Sequence, residues 1–344
     1  MIYINGKFIN QKITGVQRFA NEISKLLISN FGNYKIIIPK NIKINMTDYP
    51  FEKVEYFGHG NLNHWEQIQL PLFLKMNNSP LLLTFTGLGP IFYKNKIITI
   101  HDLSFWEHPE WFSKKYAFAY RFFTPISLKN SIKLFTVSEY SKQTITKELK
   151  CTRSDIEVIY NAVNEYICED RNIKKVKYIL AVGSIDPRKN LDRLISSFQK
   201  WNNHDYELII IGGHQKSFPK INLSTKANVK FLGYVSEELL HKYYSESEIF
   251  IYPSLYEGFG IPPLEAMAHG TPVIASNITS LPEACGEAAL YIDPYSEESI
   301  INAFELLSKN SRLQKELIIK GFENLKRFSW SKSALKINEI IKNL

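Results

Sequence analysis

Residues 252–276 read YPSLYEGFGIPPLEAMAHGTPVIAS. The apolar run Ile249 to Tyr252 leads into this stretch as a strand, and Pro253 to Ile261 reads as a loop. Pro262 and Pro263 suit the first turn of a helix, where missing N–H groups cost nothing. Gly270 suits the position just past a helix end, and Val273 to Ala275 opens the next strand. Strand, loop, helix and strand in this order is the repeat of a parallel α/β sheet. Such sheets bind ligands outside the carboxyl ends of their strands. Glu257, in the glycine loop, and Glu265, expected in the first helical turn, therefore stand where a ligand is expected.

The same alternation runs outward in both directions. Ile2 to Ile4, Tyr34 to Ile38, Lys96 to Ile100 and Leu134 to Val137 read as strands. From Gly15 onward Val16, Phe19, Ile23, Leu26 and Leu27 fall at helical spacing. After a charged patch around Glu169 to Lys177 the pattern restarts with Tyr178 to Val182, Glu207 to Ile211 and Val229 to Leu232. A sheet that stops and restarts predicts two doubly wound domains, 1–168 and 169–329, facing across a cleft. The tail 330–344 has helical spacing and is open to packing back on the first domain.

Composition fits that size. The chain has 344 residues, 44% apolar and 22% charged, as expected of a globular protein of two domains. Its formal net charge of +8 suits a polyanionic partner or a plain solvated basic surface. Cys151, Cys168 and Cys285 form no CxxC pair and no metal-ligand spacing, so idle thiols in a reducing compartment are expected. The opening MIYING reads as a strand and not as a signal peptide. No apolar run has membrane-span length. The expectation is a cytoplasmic protein whose membrane contact, if any, is peripheral.

A carboxylate accepts two hydrogen bonds at once, which suits the vicinal diol of a ribose or hexose. Glycines such as Gly258 and Gly260 let a backbone approach a ligand and point N–H groups at it. Each feature has an ordinary alternative: helix-dipole pairing for Glu265, a plain turn for the glycines. A second segment, AVGSIDPRKNLDRLISSF, places Gly183 at a strand end and Arg188 and Lys189 just before a helix. Two cations at a helix N-terminus make a diphosphate site, with surface solvation as their alternative. A third segment carries Gly233 and Tyr234 at a strand end, where a loop backbone can meet a flat base.

The order of these segments resembles the retaining glycosyltransferases of the GT-B fold, specifically the large family 4 that uses nucleotide sugars. Its EX7E motif matches Glu257 to Glu265, and its basic pair matches Arg188 and Lys189. Ser184 stands where the family usually has arginine, which leaves the phosphate contact to Arg188 and Lys189. In the first half, TGVQRFANEI resembles the family's first glycine loop, with Thr14 in place of one glycine, Gly15 retained, and Arg18 in the first helical turn. HDLSFWEHPEWFS puts His101 and Asp102 at a strand end, and TVSEYSK, with Ser138, resembles a cleft-lining segment. The resemblance implies that Glu265 holds ribose hydroxyls and that Arg188 and Lys189 neutralise the leaving diphosphate. Glu257, with the backbone of Gly258, Phe259 and Gly260, would bind the donor sugar, and His101 would touch sugar or acceptor.

What the resemblance implies for chemistry is a hexosyltransferase that needs neither cofactor nor metal and retains anomeric configuration. Similarity to bacterial mannosyl- and rhamnosyltransferases of surface-polysaccharide assembly puts GDP-mannose first, with dTDP-rhamnose and UDP-hexoses behind. The acceptor is expected to be a glycan, polyprenyl-diphosphate-linked or free. A dehydrogenase is disfavoured because no strand is followed by GxGxxG. A glycogen-phosphorylase-like enzyme needs a longer chain, and no motif or dense basic stripe supports nucleic-acid binding. A non-catalytic sugar-nucleotide-binding protein is the alternative of another class. Finally, FSKKYAFAYRFFTPISLKN, residues 112–130, mixes Lys114, Lys115, Arg121 and Lys129 with aromatic rings. A core-facing aromatic stripe with a basic outer face is the first reading, and a segment for an anionic membrane surface is the second.

Overall fold

The computed structural model describes residues 1–42, 48–151, 156–163, 175–213 and 228–344. The expected boundary at 168/169 and Cys168 lie outside these residues. The chain forms two compact units. The first comprises Met1–Trp106, Phe118–Asn161 and Ser329–Leu344; the second comprises Glu107–Ala117 and Ala162–Phe328.

The first unit holds strands β1 (Ile2–Asn5), β2 (Tyr34–Ile38), β3 (Val54–Tyr56), β4 (Leu82–Thr84), β5 (Lys96–Thr99), β6 (Lys133–Thr136) and β7 (Ile156–Val158). They form one sheet in the order β3-β2-β1-β4-β5-β6-β7, every pair parallel. Strands covered on both faces read as continuous apolar runs rather than alternating ones. YKIII and KIIT do so, and Ile36, Ile37, Ile97 and Ile98 are all buried. The helix Gly15–Asn30 covers one face with Phe19, Ile23 and Leu27. The C-terminal helix Trp330–Lys342 belongs to this unit. Trp330 meets Phe19 edge-on at 6.1 Å, and Asn338 Oδ1 accepts from the Tyr34 hydroxyl at 3.0 Å.

The second unit holds β8 (Val176–Val182), β9 (Glu207–Ile211), β10 (Val229–Gly233), β11 (Ser247–Tyr252), β12 (Val273–Ser276) and β13 (Ala289–Ile292). Its sheet runs β10-β9-β8-β11-β12-β13, again parallel. The strand order reverses between β8 and β11, so the loops after these two strands flank the switch point where α/β sheets bind ligands. The helices Leu191–Trp201 and Glu297–Lys309 pack together over one face, Phe198 edge-on to Phe304 at 6.3 Å.

Two expectations are corrected here. Glu107–Ala117 groups with the second unit although it lies inside the range 1–168. In the helix Lys114–Lys129 the aromatic stripe does not all face the core. Phe118 and Phe122 are 73% and 56% exposed and stack on each other at 6.2 Å. They share the outer face with Lys114, Lys115, Arg121 and Lys129, while Thr124 and Ser127 are buried. Ser127 Oγ donates to the Leu88 carbonyl at 2.7 Å, closing the contact with a loop.

Candidate active site

After β8 the chain turns sharply through Asp186–Asn190. Asp186 is fully buried and caps the 3₁₀ turn Pro187–Lys189, its Oδ1 accepting from the Arg188 N–H at 3.0 Å. The same carboxylate accepts from Arg188 Nε at 3.2 Å and from Ser184 Oγ at 2.5 Å. Burial pushes the Asp186 carboxyl up, but Arg188, Lys189 and these hydrogen bonds outweigh it and hold it below its ordinary value. Ser184, where the family has arginine, thus fastens Asp186. Asn190 adopts a left-handed conformation, φ 57°, and its Nδ2 donates to the Pro294 carbonyl at 2.7 Å and the Pro253 carbonyl at 3.2 Å. The Leu255 N–H donates to the Arg188 carbonyl at 2.7 Å. The basic turn and the glutamate loop are therefore one riveted assembly.

At its centre the Lys189 ammonium bonds the Glu257 carboxylate and donates to the Tyr252 hydroxyl at 2.6 Å. Lys189 and Glu257 are each 8% exposed. Burial first, then the Glu257 charge, push the Tyr252 phenol well above its ordinary value, so it stays neutral as the acceptor of the lysine proton. Ser280 Oγ donates to the Glu257 carbonyl at 2.9 Å, fixing the residue from the β12 side. Gly260 follows at φ 102°, and a Cβ there would fall 2.5 Å from Leu281 Cδ2, so the loop closes this tightly only with glycine. The Phe259 side chain is buried edge-on against Phe328 at 5.2 Å, which anchors the loop and leaves only its backbone for a ligand.

The helix Ile261–Ala268 starts directly after Gly260. Glu265 is its fifth residue, so it stands in the second turn, not the expected first. The reason is that Ile261 already has helical conformation, which moves the proline pair and Glu265 one step inward. This weakens the helix-dipole explanation for Glu265, since that effect fades beyond the first turn. Its Oε2 accepts from the Tyr244 hydroxyl at 2.8 Å, and its carbonyl faces His269 Nδ1 at 2.7 Å. His269 Nε2 lies 3.0 Å from His241 Nδ1, and its ring stacks on Tyr244 at 5.3 Å. Nδ1 donates to the carbonyl, and burial lowers the pKa of the ring, which favours the neutral form with Nε2 as the acceptor.

Strand-end glycines line the same edge. The Gly183 N–H donates to the Ile211 carbonyl at 2.9 Å. A Cβ on Gly212, φ 144°, would lie 1.8 Å from the Gly183 carbonyl oxygen. Gly233 has φ 67°, and its carbonyl accepts from the Gly212 N–H at 2.8 Å. The Tyr234 ring lies over Gly213, its hydroxyl 3.5 Å from the Gly213 carbonyl, with half of its surface exposed. Bare backbone beside an exposed aromatic ring can receive a flat ring system.

In the first unit His101 follows β5. Its Nε2 lies 2.9 Å from the Phe85 carbonyl and so carries the proton, which makes Nδ1 the acceptor. Phe19 meets the ring edge-on at 5.1 Å, and burial lowers its pKa. Asp102 Oδ1 accepts from both N–H (2.9 Å) and Oγ (2.6 Å) of Ser104. Ser138 is buried, and its Oγ caps the helix Glu139–Leu149 by accepting from the Ser141 N–H at 3.0 Å. Gly15 opens the helix Gly15–Asn30, and the Arg18 N–H donates to the Thr14 carbonyl at 2.9 Å, leaving its half-buried side chain in the first turn.

Asp186, Tyr252, Ser280, Tyr244 and His269 hold the expected site residues in place and carry no role in the sequence reading. Asp186 had a readable signal, an N-cap residue followed by proline. The others come from a strand end (Tyr252), a helix (Tyr244), a helix end (His269) and the turn after β12 (Ser280), and carry no local mark. Among the described residues no three His, Cys, Asp or Glu side chains come together as a metal site.

The profile of the family described as glycosyl transferases group 1 matches residues 164–324. The chain is 35% identical over 274 residues to the O-antigen chain mannosyltransferase RfbU of Salmonella typhimurium strain LT2, covering 77% of this chain and 76% of that one. It is 32% identical over 268 residues to the O-antigen chain mannosyltransferase B of Escherichia coli, covering 70% of each. In structure it is similar to Anabaena Alr3699/HepE, solved in complex with UDP-glucose. The TM-score is 0.75 at 16% identity, over 100% of this chain and 99% of that one. Two parallel-sheet units, the loop and helix that carry Glu257 and Glu265 after β11 and this kinship lead to one conclusion: the chain belongs to the glycosyl transferases group 1 family and is a glycosyltransferase of the GT-B fold.

Proposed function

We propose that this enzyme moves a hexose, with retention of anomeric configuration, from a nucleoside-diphosphate sugar to a glycan in surface-polysaccharide assembly. GDP-mannose is the first candidate donor, because the relatives named above are O-antigen mannosyltransferases. The observation that carries the reading is the buried Lys189–Glu257 pair beside Asp186–Arg188 at the switch point of the second sheet. In this reading Arg188 and Lys189 take up the charge that develops on the departing diphosphate, where preorganised cations act most strongly. Glu257 turns toward the sugar hydroxyls as phosphate claims Lys189. Glu265, oriented by Tyr244, accepts the two ribose hydroxyls. His101, with Nε2 committed to Phe85, offers Nδ1 as acceptor for a sugar hydroxyl.

The bond from the anomeric carbon to the diphosphate breaks as the acceptor oxygen bonds the same face, and the leaving phosphate takes the acceptor proton. No divalent metal is required in this scheme. The acceptor is a glycan on a polyprenyl diphosphate, and the outer face of Lys114–Lys129 holds the enzyme at an anionic membrane surface. No helix among the described residues is long and apolar enough to cross a membrane.

The test incubates the protein with GDP-mannose, dTDP-rhamnose or UDP-glucose and a polyprenyl-diphosphate-linked glycan, with and without EDTA. Proton NMR of the first-formed product is expected to show the donor's anomeric configuration, with EDTA leaving the rate unchanged. An inverted product, or activity lost in EDTA and restored by Mg²⁺, would overturn the corresponding part of the scheme.

A further inference from the structure

Glu107–Ala117 packs in the second unit while the chain before and after it belongs to the first. Its seat is Tyr256, the residue immediately before Glu257. Tyr256 is 2% exposed, and its hydroxyl donates to Glu107 Oε2 at 2.7 Å. His108 and Trp111 stack on each other at 3.9 Å with 12° between their planes. Tyr256 presents its ring edge-on to both, at 5.8 Å and 6.4 Å. His108 Nδ1 is in turn 3.0 Å from Glu110 Oε1. One tyrosine is thus held by a carboxylate at its hydroxyl and by an aromatic pair against its ring.

The position of that tyrosine matters because the loop 253–257 has no regular secondary structure to place it. Its backbone is fastened by Asn190 at Pro253, by Arg188 at Leu255 and by Ser280 at Glu257. Those ties come from within the sheet's own strand-end loops. The Tyr256 tie comes from a segment that begins five residues after Asp102 in the sequence. Glu107 is exposed at the surface and reaches this loop through the Tyr256 hydroxyl, one residue before Glu257.

We propose that Glu107–Ala117 is a positioning strap. Glu107, acting through the Tyr256 hydroxyl, sets the Glu257 carboxylate at the donor sugar. This rests on the sugar-binding role proposed for Glu257. Misplacement of a reacting group by about 1 Å can cost on the order of a hundredfold in rate. The effect should fall on the sugar end of the donor, because Glu265 and the strand-end glycines hold the nucleotide end independently.

The test uses the full chain. Tyr256→Phe keeps the ring and its stack and removes the hydroxyl, Glu107→Ala removes the acceptor, and Glu107→Gln keeps an acceptor oxygen. With GDP-mannose as donor, Tyr256→Phe and Glu107→Ala should each lower kcat about 10- to 100-fold. The Kd for GDP by calorimetry should move less than about twofold, since the hydroxyl contact is remote from the ribose carboxylate. Glu107→Gln should recover most of the rate, and the Tyr256→Phe/Glu107→Ala double variant should be no slower than either single one. Unchanged kcat, additive losses, or a loss of GDP affinity in step with kcat would overturn the strap. If Tyr256→Phe does not fold, the two Glu107 variants decide the matter from the surface. If the parent turns over none of the nucleotide sugars, the activity reading fails and the strap is judged by hydrogen exchange of residues 253–257. Faster exchange in Glu107→Ala than in the parent supports it, and equal exchange overturns it.

Discussion

The Lys189 ammonium and the Glu257 carboxylate form an ion pair in which each side chain is only 10% exposed. Lys189 comes from the turn after β8 and Glu257 from the loop after β11, so this pair staples two loops across the switch point of the sheet. In the proposed reaction the two residues serve different parts of the donor, yet without donor they satisfy each other. Pairing solves a problem that both would otherwise have, because a buried unpaired charge is costly.

Removing one partner should therefore be worse than removing both. Lys189→Met or Glu257→Leu alone should cost about 3–5 kcal/mol of stability, since each leaves an uncompensated buried charge. The double variant should lose distinctly less than the sum of the two. Urea denaturation of the parent, both singles and the double closes the cycle. Additive losses would show that the two groups do not interact as the geometry indicates.

Glu265 and Tyr244 permit a graded test of nucleotide binding. Glu265→Ala should weaken GDP binding by about 1–3 kcal/mol, the loss expected for hydrogen bonds to a charged group. Tyr244→Phe leaves the charge but removes a hydroxyl that orients it, and should cost about 0.5–1.5 kcal/mol. Calorimetric titration with GDP reads both. A folded Glu265→Ala protein that binds GDP like the parent would remove Glu265 from the ribose role.

The order of these two effects bears on what could be read from the residues in line. Glu257, Glu265, Arg188 and Lys189 sit in segments whose punctuation, Gly-Phe-Gly, Pro-Pro and Asp-Pro, places them at strand ends without any coordinates. The long strands were legible for the same reason, as continuous apolar runs in a doubly covered sheet. β3, β4 and β7 have three residues each, too few for a pattern to emerge. Tyr252 and Ser280 acquire their places only when the sheet brings neighbouring loops together, and Tyr244 only when its helix packs beside the helix that carries Glu265. The fate of Phe118 and Phe122 depended on which face of one helix the core would take. Mean spacing could not decide that, because Phe118 and Phe122 share one stripe with Lys114 and Arg121.

Histidine burial predicts a pH dependence of stability. Burial holds both His101 and His269 below the ordinary value of 6.5. The folded chain therefore keeps them neutral where the unfolded chain would take up protons. Their contribution is fully present above about 6.5 and is lost as pH falls through the lowered folded values. The slope is at most about 1.4 kcal/mol per pH unit for each histidine. His269→Asn retains an N–H donor at the Nδ1 position for the Glu265 carbonyl and removes the titration. Thermal melts between pH 7.5 and 5 should show a smaller decline in Tm for this variant than for the parent. An equal decline would place the proton uptake elsewhere.

The exposed face of Lys114–Lys129 predicts binding to anionic membranes. Phe118 and Phe122 can enter the headgroup region while Lys114, Lys115, Arg121 and Lys129 flank them with positive charge. Each basic residue near an anionic surface contributes about 1 kcal/mol, so a few of them give reversible attachment that salt screens. The aromatic pair adds a component that salt does not remove. Sedimentation with phosphatidylglycerol vesicles should separate the two. Replacing Lys114, Lys115 and Arg121 by serine should abolish most of the binding seen at low salt. Replacing Phe118 and Phe122 by serine should remove what persists at high salt. All of these substitutions lie on the outer face, so hydrolysis of the donor in solution should continue at the parent rate. If the basic triple variant sediments with vesicles as fully as the parent, the helix is not the docking surface, and the net charge of +8 must act through another face.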